Sequence, residues 1–181
     1  PGTIGRDKVD FIDVATNQAF SIATSMIPFL NHDEANRALM ASNMQKQATP
    51  CIVPEVPLVA TGMEADGIKD AGRLLIADED GTVTHADGDK ITIKNSKGKD
   101  IEHKLVKFSR TNGFTAFHQR PSVDVGDKVK KGQVLADTSS SKDGQAAIGQ
   151  NMLVAFMSWS GSNYEDAIIL SERVIKDSKF T

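Results

Sequence analysis

Glu165 and Asp166 stand side by side in WSGSNYEDAIILSERV, residues 159–174. A turn of Gly, Ser and Asn delivers the two carboxylates, and the apolar run Ala167 to Leu170 follows at once. Paired acids can act as general acid and base, or can hold a hard cation such as Mg2+. The first use fits poorly. Carboxylates that flank a sugar stand about 5 to 9.5 Å apart, whereas adjacent residues on a helix point about 100° apart. A self-contained metal site fits poorly too. No His or Cys adjoins the pair, and His32, His85, His103 and His118 are scattered without metal-ligand spacing. Two readings remain. Asn163 can cap a helix whose first turn carries both acids, where the helix dipole favours negative charge. Alternatively, the acids stand at the rim of a shared site and tune a Mg2+ bound mainly by another chain, because Mg2+ keeps several waters and takes only one or two carboxylates.

The elements that must position these acids fall into three zones. Residues 1–57 read as helical after a strand-like opening, VDFIDV. The helix predicted over 31–47, NHDEANRALMASNMQKQ, is rich in Ala, Leu, Met, Gln and Lys. Asn31 or His32 can cap it, Asp33 and Glu34 fall in its first turn, and Asp33 can pair with Arg37 four residues on. Pro50 and Pro54 then lead into extended chain.

Residues 58–137 read as β. LLIAD, GTVTHADGDKITIKN, KDIEHKLVKFSR and AFHQRPSV alternate apolar with polar residues, and Asp80-Gly81, Asp87-Gly88 and Lys97-Gly98 mark turns. The clearest hairpin is ITIKNSKGKDIEHKLVKF. VDVGDKVKKGQVLAD resembles the strand and turn spacing of barrel–sandwich hybrid domains such as biotinyl and lipoyl carriers. It lacks their Met-Lys-Met hairpin, which argues against a carrier function. Residues 138–181 open with a linker, TSSSKDGQ, followed by an apolar strand candidate, NMLVAFMSW, and a helical turn through ERVIKD that Ser171 can cap.

Bulk properties bound the function. The 181 residues are 39% hydrophobic and 25% charged, which is the balance of a folded globular chain. Net charge is −3, so nucleic-acid contact would have to be local or shared with a more basic partner. The single cysteine, Cys51, reads as a small apolar residue and fits a reducing cytoplasm. No run approaches the roughly 18 apolar residues of a membrane span. The start at Pro1 and the end at Thr181 read as cut ends of something longer.

Two long segments carry a resemblance. IPFLNHDEANRALMASNMQKQATP and GQNMLVAFMSWSGSNYEDAIILSERV are similar to segments of the bacterial RNA polymerase β-subunit family, with VATGME and VDVGDKVKKGQVLAD between them in the same order. The resemblance runs nearly end to end and implies an internal piece of such a subunit. It implies a mixed α+β, β-rich fold: a helical hybrid-binding segment with the start of a barrel (1–57), an inserted barrel–sandwich hybrid (58–137) and part of a double-psi β-barrel (138–181). It also implies DNA-directed RNA synthesis, a nucleotidyl transfer that the fragment alone would not perform. The implied partners are the β′ and α subunits, the rest of β, sigma factor, template DNA, nascent RNA and nucleoside triphosphates, in the bacterial cytoplasm and with no membrane.

Site roles follow from the resemblance residue by residue. Glu165 and Asp166 match a Glu-Asp pair beside the active centre, with Asp166 the closer influence on a second Mg2+, indirectly and through water. The catalytic Mg2+ itself would be held mainly by β′. Arg37 matches an arginine that reaches toward nucleotide phosphates, which a planar guanidinium suits. Asn43, Lys46 and Gln47 match the helix end near the RNA 3′ terminus, and Glu34 an acid near the same channel. Ser158 stands where the family usually has Pro, and Ser162 where it has an aromatic residue. Other readings stay open. Arg37 can simply pair with Asp33, and Asn43 and Gln47, aligned with Asn36 and Met40, can form a packed interface. The whole chain can instead be a non-catalytic barrel–sandwich hybrid binding module or a self-contained Mg2+ hydrolase.

Overall fold

The computed structural model describes residues 2–181. It is a mixed α and β structure with several small antiparallel sheets. Among the described residues the helices are α1 (Ile22–Ser25), α2 (Ala35–Lys46), α3 (Met63–Asp70) and α4 (Arg173–Lys176), with short 3-10 turns before α2. Strands β1 (Leu75–Ile76), β2 (Gly81–Ala86), β3 (Lys90–Asn95) and β4 (Asp100–Lys104) come next in the chain. They are followed by β5 (Ser109–Arg110), β6 (Ala116–Phe117), β7 (Arg120–Pro121), β8 (Lys128–Val129) and β9 (Val134–Asp137). The last pair is β10 (Ser141–Lys142) and β11 (Gln145–Ala146).

The apolar alternation over 81–104 builds the largest sheet, in the order β4-β3-β2-β8. Ile93 pairs with Val83 on one side and Ile101 on the other, so one face of the sheet is a row of aliphatic side chains. That face meets the smaller sheet β1-β9-β7 around one core: Ala77, Val83, Ile91, Ile93, Val123, Val129, Leu135 and Ala136. The turns predicted at 87–88 and 97–98 are present, whereas the one predicted at 80–81 is not: Gly81 is already the first residue of β2, and the chain bends just before it, at 78–79. At 87–88, Asp87 closes the turn by accepting bonds from the amides of Lys90 and Asp89, both at 2.8 Å, and from the His85 ring. These bonds hold the Asp87 carboxyl near pKa 2, the Lys90 amide contributing most.

Four expectations from sequence are corrected. VDFIDV forms no strand; Phe11, Ile12 and Val14 stand in solvent with no neighbouring strand to pair with. The stretch before β1 contains α3, because Thr61 and Glu64 build a helix start there: the Glu64 carboxylate takes the amides of Thr61 (3.1 Å) and Gly62 (2.8 Å). TSSSKDGQ is not a loose linker. It forms the β10–β11 hairpin, in which buried Asp137 accepts Ser141 Oγ and the amides of Asp143 and Gly144. NMLVAFMSW forms no strand; no partner strand lies beside it among the described residues, and Leu153 and Phe156 are fully exposed.

Candidate functional site

Helix α2 and its two capping positions carry five of the residues singled out. Glu34 is its N-cap, in place of the expected Asn31 or His32, and accepts from the Arg37 amide (3.0 Å) and from Asn36 Nδ2 (2.9 Å). Glu34 takes this place because Leu30–His32 form a 3-10 turn with Asp33 as its C-cap, which leaves Glu34 as the residue immediately before the helix. The Asp33–Arg37 pair is absent from the ion pairs among the described residues; the Arg37 guanidinium lies instead 3.9 Å from Met40 Sδ. Ala38 and Ser42, four apart, bury one face against α1, where Thr24 Oγ1 donates to Ser42 Oγ at 3.1 Å. Asn36, Arg37, Met40, Asn43, Lys46 and Gln47 are left exposed. The helix therefore anchors on small residues and turns its long polar side chains outward.

The acid pair sits on a different scaffold. Glu165 and Asp166 occupy a turn closed by the Ala167 amide on Tyr164 O at 3.2 Å, not the first turn of a helix. Asn163 is not an N-cap. Its Oδ1 accepts from the Trp159 amide (2.9 Å) and its Nδ2 donates to Met157 O (2.7 Å), so one side chain staples the whole bend. The helix reading fails because the backbone is spent otherwise: Ser160, Gly161 and Glu165 all have left-handed φ, of 49°, 73° and 58°. Ser171 Oγ accepts from the Arg173 amide (3.3 Å), but the N-cap position of α4 is Glu172 rather than the expected Ser171. Glu165 and Asp166 are both exposed.

One extended strip, residues 51–58, holds the two pieces. It follows α2 directly in the chain. Glu55 pairs with Gly149 across an isolated bridge, and its carboxylate takes Lys179 Nζ (2.7 Å), the Asn151 amide (2.9 Å) and Asn151 Nδ2 (3.1 Å). Asn151 reaches on to Val56 O and the Leu58 amide, Gln150 Nε2 bonds Val53 O, and the Ile52 amide bonds Thr181 O. The excursion 152–178 that bears the acids thus leaves and returns at the same strip. The Glu55 carboxyl is lowered to about pKa 2, chiefly by the Lys179 bond and then by Asn151. Sequence reasoning passed over Glu55; a lone Glu between prolines carries no pattern that would reveal it.

No hydrogen bond or ion pair among the described residues joins Glu165 or Asp166 to α2. Nor does any group of three His, Cys, Asp or Glu side chains there gather closely enough to hold a cation. No helix of the described residues is long and apolar enough to cross a membrane.

The pattern of the chain decides its kinship. The sequence profile of RNA polymerase Rpb2, domain 6, matches residues 76–181. The chain belongs to that family. It is also similar to proteins named DNA-directed RNA polymerase subunit beta. It is 49% identical to that of Gloeobacter violaceus over 96% of the chain and 16% of the relative. Against that of Guillardia theta it is 50% identical over 97% of the chain and 16% of the relative. Against that of Chloroflexus aggregans the figures are 49%, 97% and 14%. The chain thus spans about one sixth of the length of the Gloeobacter relative, and the resemblance expected from its motifs is borne out.

Proposed function

We propose that the chain is an internal part of a bacterial-type RNA polymerase β subunit and contributes to its active-site cleft during template-directed RNA synthesis. The observation that carries this reading is the 49% identity to such a subunit across 96% of the chain. The domains proposed are a hybrid-binding helical segment (1–57), a barrel–sandwich hybrid (58–137) and a piece of double-psi barrel (138–181). The partners are β′, α, the remainder of β, sigma factor, DNA, RNA and nucleoside triphosphates, in the cytoplasm.

Phosphoryl transfer depends mostly on positioning and charge stabilisation. In this reading Arg37 receives nucleotide phosphates, and its freedom from a carboxylate partner among the described residues supports that role. Asn43, Lys46 and Gln47, exposed at the C-terminal end of α2, meet sugar and phosphate oxygens near the RNA 3′ end. Glu34 holds the helix start that aims Arg37. Asp166, with Glu165 beside it, lends negative charge close to a Mg2+ that β′ holds. The isolated chain is then inactive, because the Mg2+ is held by β′ and the rest of the cleft is built by other parts of the enzyme.

The test is single-nucleotide addition by the complete polymerase carrying Asp166→Ala, across nucleotide and Mg2+ concentrations. The expected result is addition slowed by about tenfold or more, roughly 1.4 kcal/mol of transition-state stabilisation, with part recovered at high Mg2+. A rate and Mg2+ dependence equal to wild type would remove the acid pair from the active centre.

A further inference from the structure

We propose that the β5–β6 hairpin is a docking platform for an unpaired DNA strand, an inference that rests on the polymerase reading and adds a contact outside the acid pair and α2. Charge is the first observation. From His103 to Val123 the chain has no Asp or Glu, yet it carries Lys104, Lys107, Arg110 and Arg120, in a protein of net charge −3. Lys107 is matched by Asp89 at 2.6 Å. Arg110 has no carboxylate partner among the described residues.

Aromatic geometry is the second. Phe108 and Phe114 are 76% and 75% exposed. The Phe108 ring stacks on His118, with centroids 4.3 Å apart and planes at 16°, which leaves its other face open. The Arg110 guanidinium lies 4.3 Å from the centre of the Phe114 ring. Both phenylalanines have left-handed backbone, φ 45° and 61°, and neighbouring Gly113, better suited to it, does not take that conformation. Strain of this kind persists only where the surroundings enforce it. At Phe114 the enforcement is visible. The Thr111 amide bonds Thr115 O at 2.9 Å, the two threonine hydroxyls bond each other at 2.7 Å, and the Phe114 amide bonds Thr111 O at 3.0 Å.

A rigid tip with bare ring faces beside an unmatched guanidinium suits a ligand that brings a π-face and an anion in each repeat unit. A single nucleic-acid strand does so, and its bases stack on aromatic rings without regard to sequence. Pre-ordering of the tip keeps the entropy lost on binding small. An apolar protein surface would instead bury the Arg110 charge unpaired. The strand is taken as DNA rather than RNA because the polymerase reading on which the inference rests already places the RNA 3′ end at α2, a separate element.

The experiment places the photo-crosslinking residue p-benzoylphenylalanine at Phe114, and separately at Phe108, in the complete polymerase. The enzyme is assembled on a scaffold whose template DNA, non-template DNA and RNA carry different labels. A crosslink from either position to an unpaired DNA strand is expected. Crosslinks confined to RNA or to a protein subunit, or none at all in an enzyme that still extends RNA, overturn the inference while leaving the polymerase reading intact. Failure of the wild-type assembly to extend RNA would overturn both. As an independent readout, the double variant Arg110→Ala, Phe114→Ala should bind a fluorescent forked-DNA probe about tenfold more weakly. The slope of log affinity against log salt should fall by about 1. Unchanged affinity and slope would count against the platform.

Discussion

Glu55 and Lys179 meet at 2.7 Å, and this contact, with Asn151 on the other carboxylate oxygen, ties both ends of the acid-bearing excursion to the strip that follows α2. The Glu55 carboxyl has a pKa of about 2 against an ordinary 4.5. A depressed carboxyl stabilises the fold fully above its unfolded pKa, and the contribution drains away as pH falls through the folded value. The window is therefore from about pH 4.5 down to about pH 2. Denaturation midpoints of wild type and Glu55→Gln, followed from pH 7 to pH 2, should differ most at neutral pH and converge in acid. A difference that stays constant with pH would mean that the Glu55 charge contributes nothing.

Arg37 separates two uses of one residue. Its backbone amide fastens the start of α2 to Glu34, while its side chain stands free of any carboxylate among the described residues. Arg37→Ala removes only the side chain. Stability should change by no more than about 0.5 kcal/mol, yet KM for the incoming nucleotide should rise about tenfold, as expected for losing hydrogen bonds to a charged group. Arg37→Lys keeps the charge and loses the planar fork, so its KM should lie between. Steady-state kinetics of the complete polymerase with each variant decides. Equal KM in all three would assign Arg37 to the surface.

The β core was legible in sequence because a two-residue period survives burial on one face. Val83, Ile91 and Ile93 alternate with polar residues, and all three are buried as the alternation requires. The body of α2 was legible from composition, but its cap was not. Asn31 and His32 are the caps expected from sequence, but both lie in the 3-10 turn Leu30–His32, and Glu34 caps the helix instead. The acid pair misled for a related reason. An Asn two residues before two acids matches a helix start, and nothing local reveals that Asn163 spends both its amide atoms on Met157 and Trp159. NMLVAFMSW has the composition of a buried strand, but composition does not supply the neighbouring strand that pairing needs. The Glu55 anchor joins residues 96 and 124 positions apart, Asn151 and Lys179, and left no periodic trace.

Gly81 opens β2 where strands crowd. A methyl group added there would lie 2.6 Å from Lys94 O and 2.5 Å from Ile93 Cγ2. One neighbour is backbone of the paired strand and the other belongs to a core side chain, so neither can swing aside. Gly81→Ala should destabilise by about 1–3 kcal/mol, the usual range for overpacking. Gly98→Ala is the instructive contrast: space around Gly98 is open, and the penalty there would come only from its φ of 79°. Urea denaturation of both variants tests the difference. A Gly81→Ala protein as stable as wild type would mean that β2 and β3 part more easily than their register implies.

Asn163 offers the sharpest check on whether the acid turn is aimed. Its side chain makes two hydrogen bonds that fold residues 157–163 back on themselves, immediately before Glu165 and Asp166. Losing both costs about 1–3 kcal/mol locally, at about 0.5–1.5 kcal/mol each. Asn163→Ala should therefore slow nucleotide addition by loosening the turn. Both carboxylates remain, so the loss should not be restored by high Mg2+ in the way expected for Asp166→Ala. Asn163→Asp keeps the acceptor for the Trp159 amide but replaces the donor to Met157 O with a negative oxygen, so it should not recover full activity either. Combining Asn163→Ala with Asp166→Ala gives the decisive comparison. If Asn163 acts by positioning Asp166, the double variant is about as slow as Asp166→Ala alone. If the two losses instead multiply, Asn163 serves the enzyme by some route other than the acid it precedes.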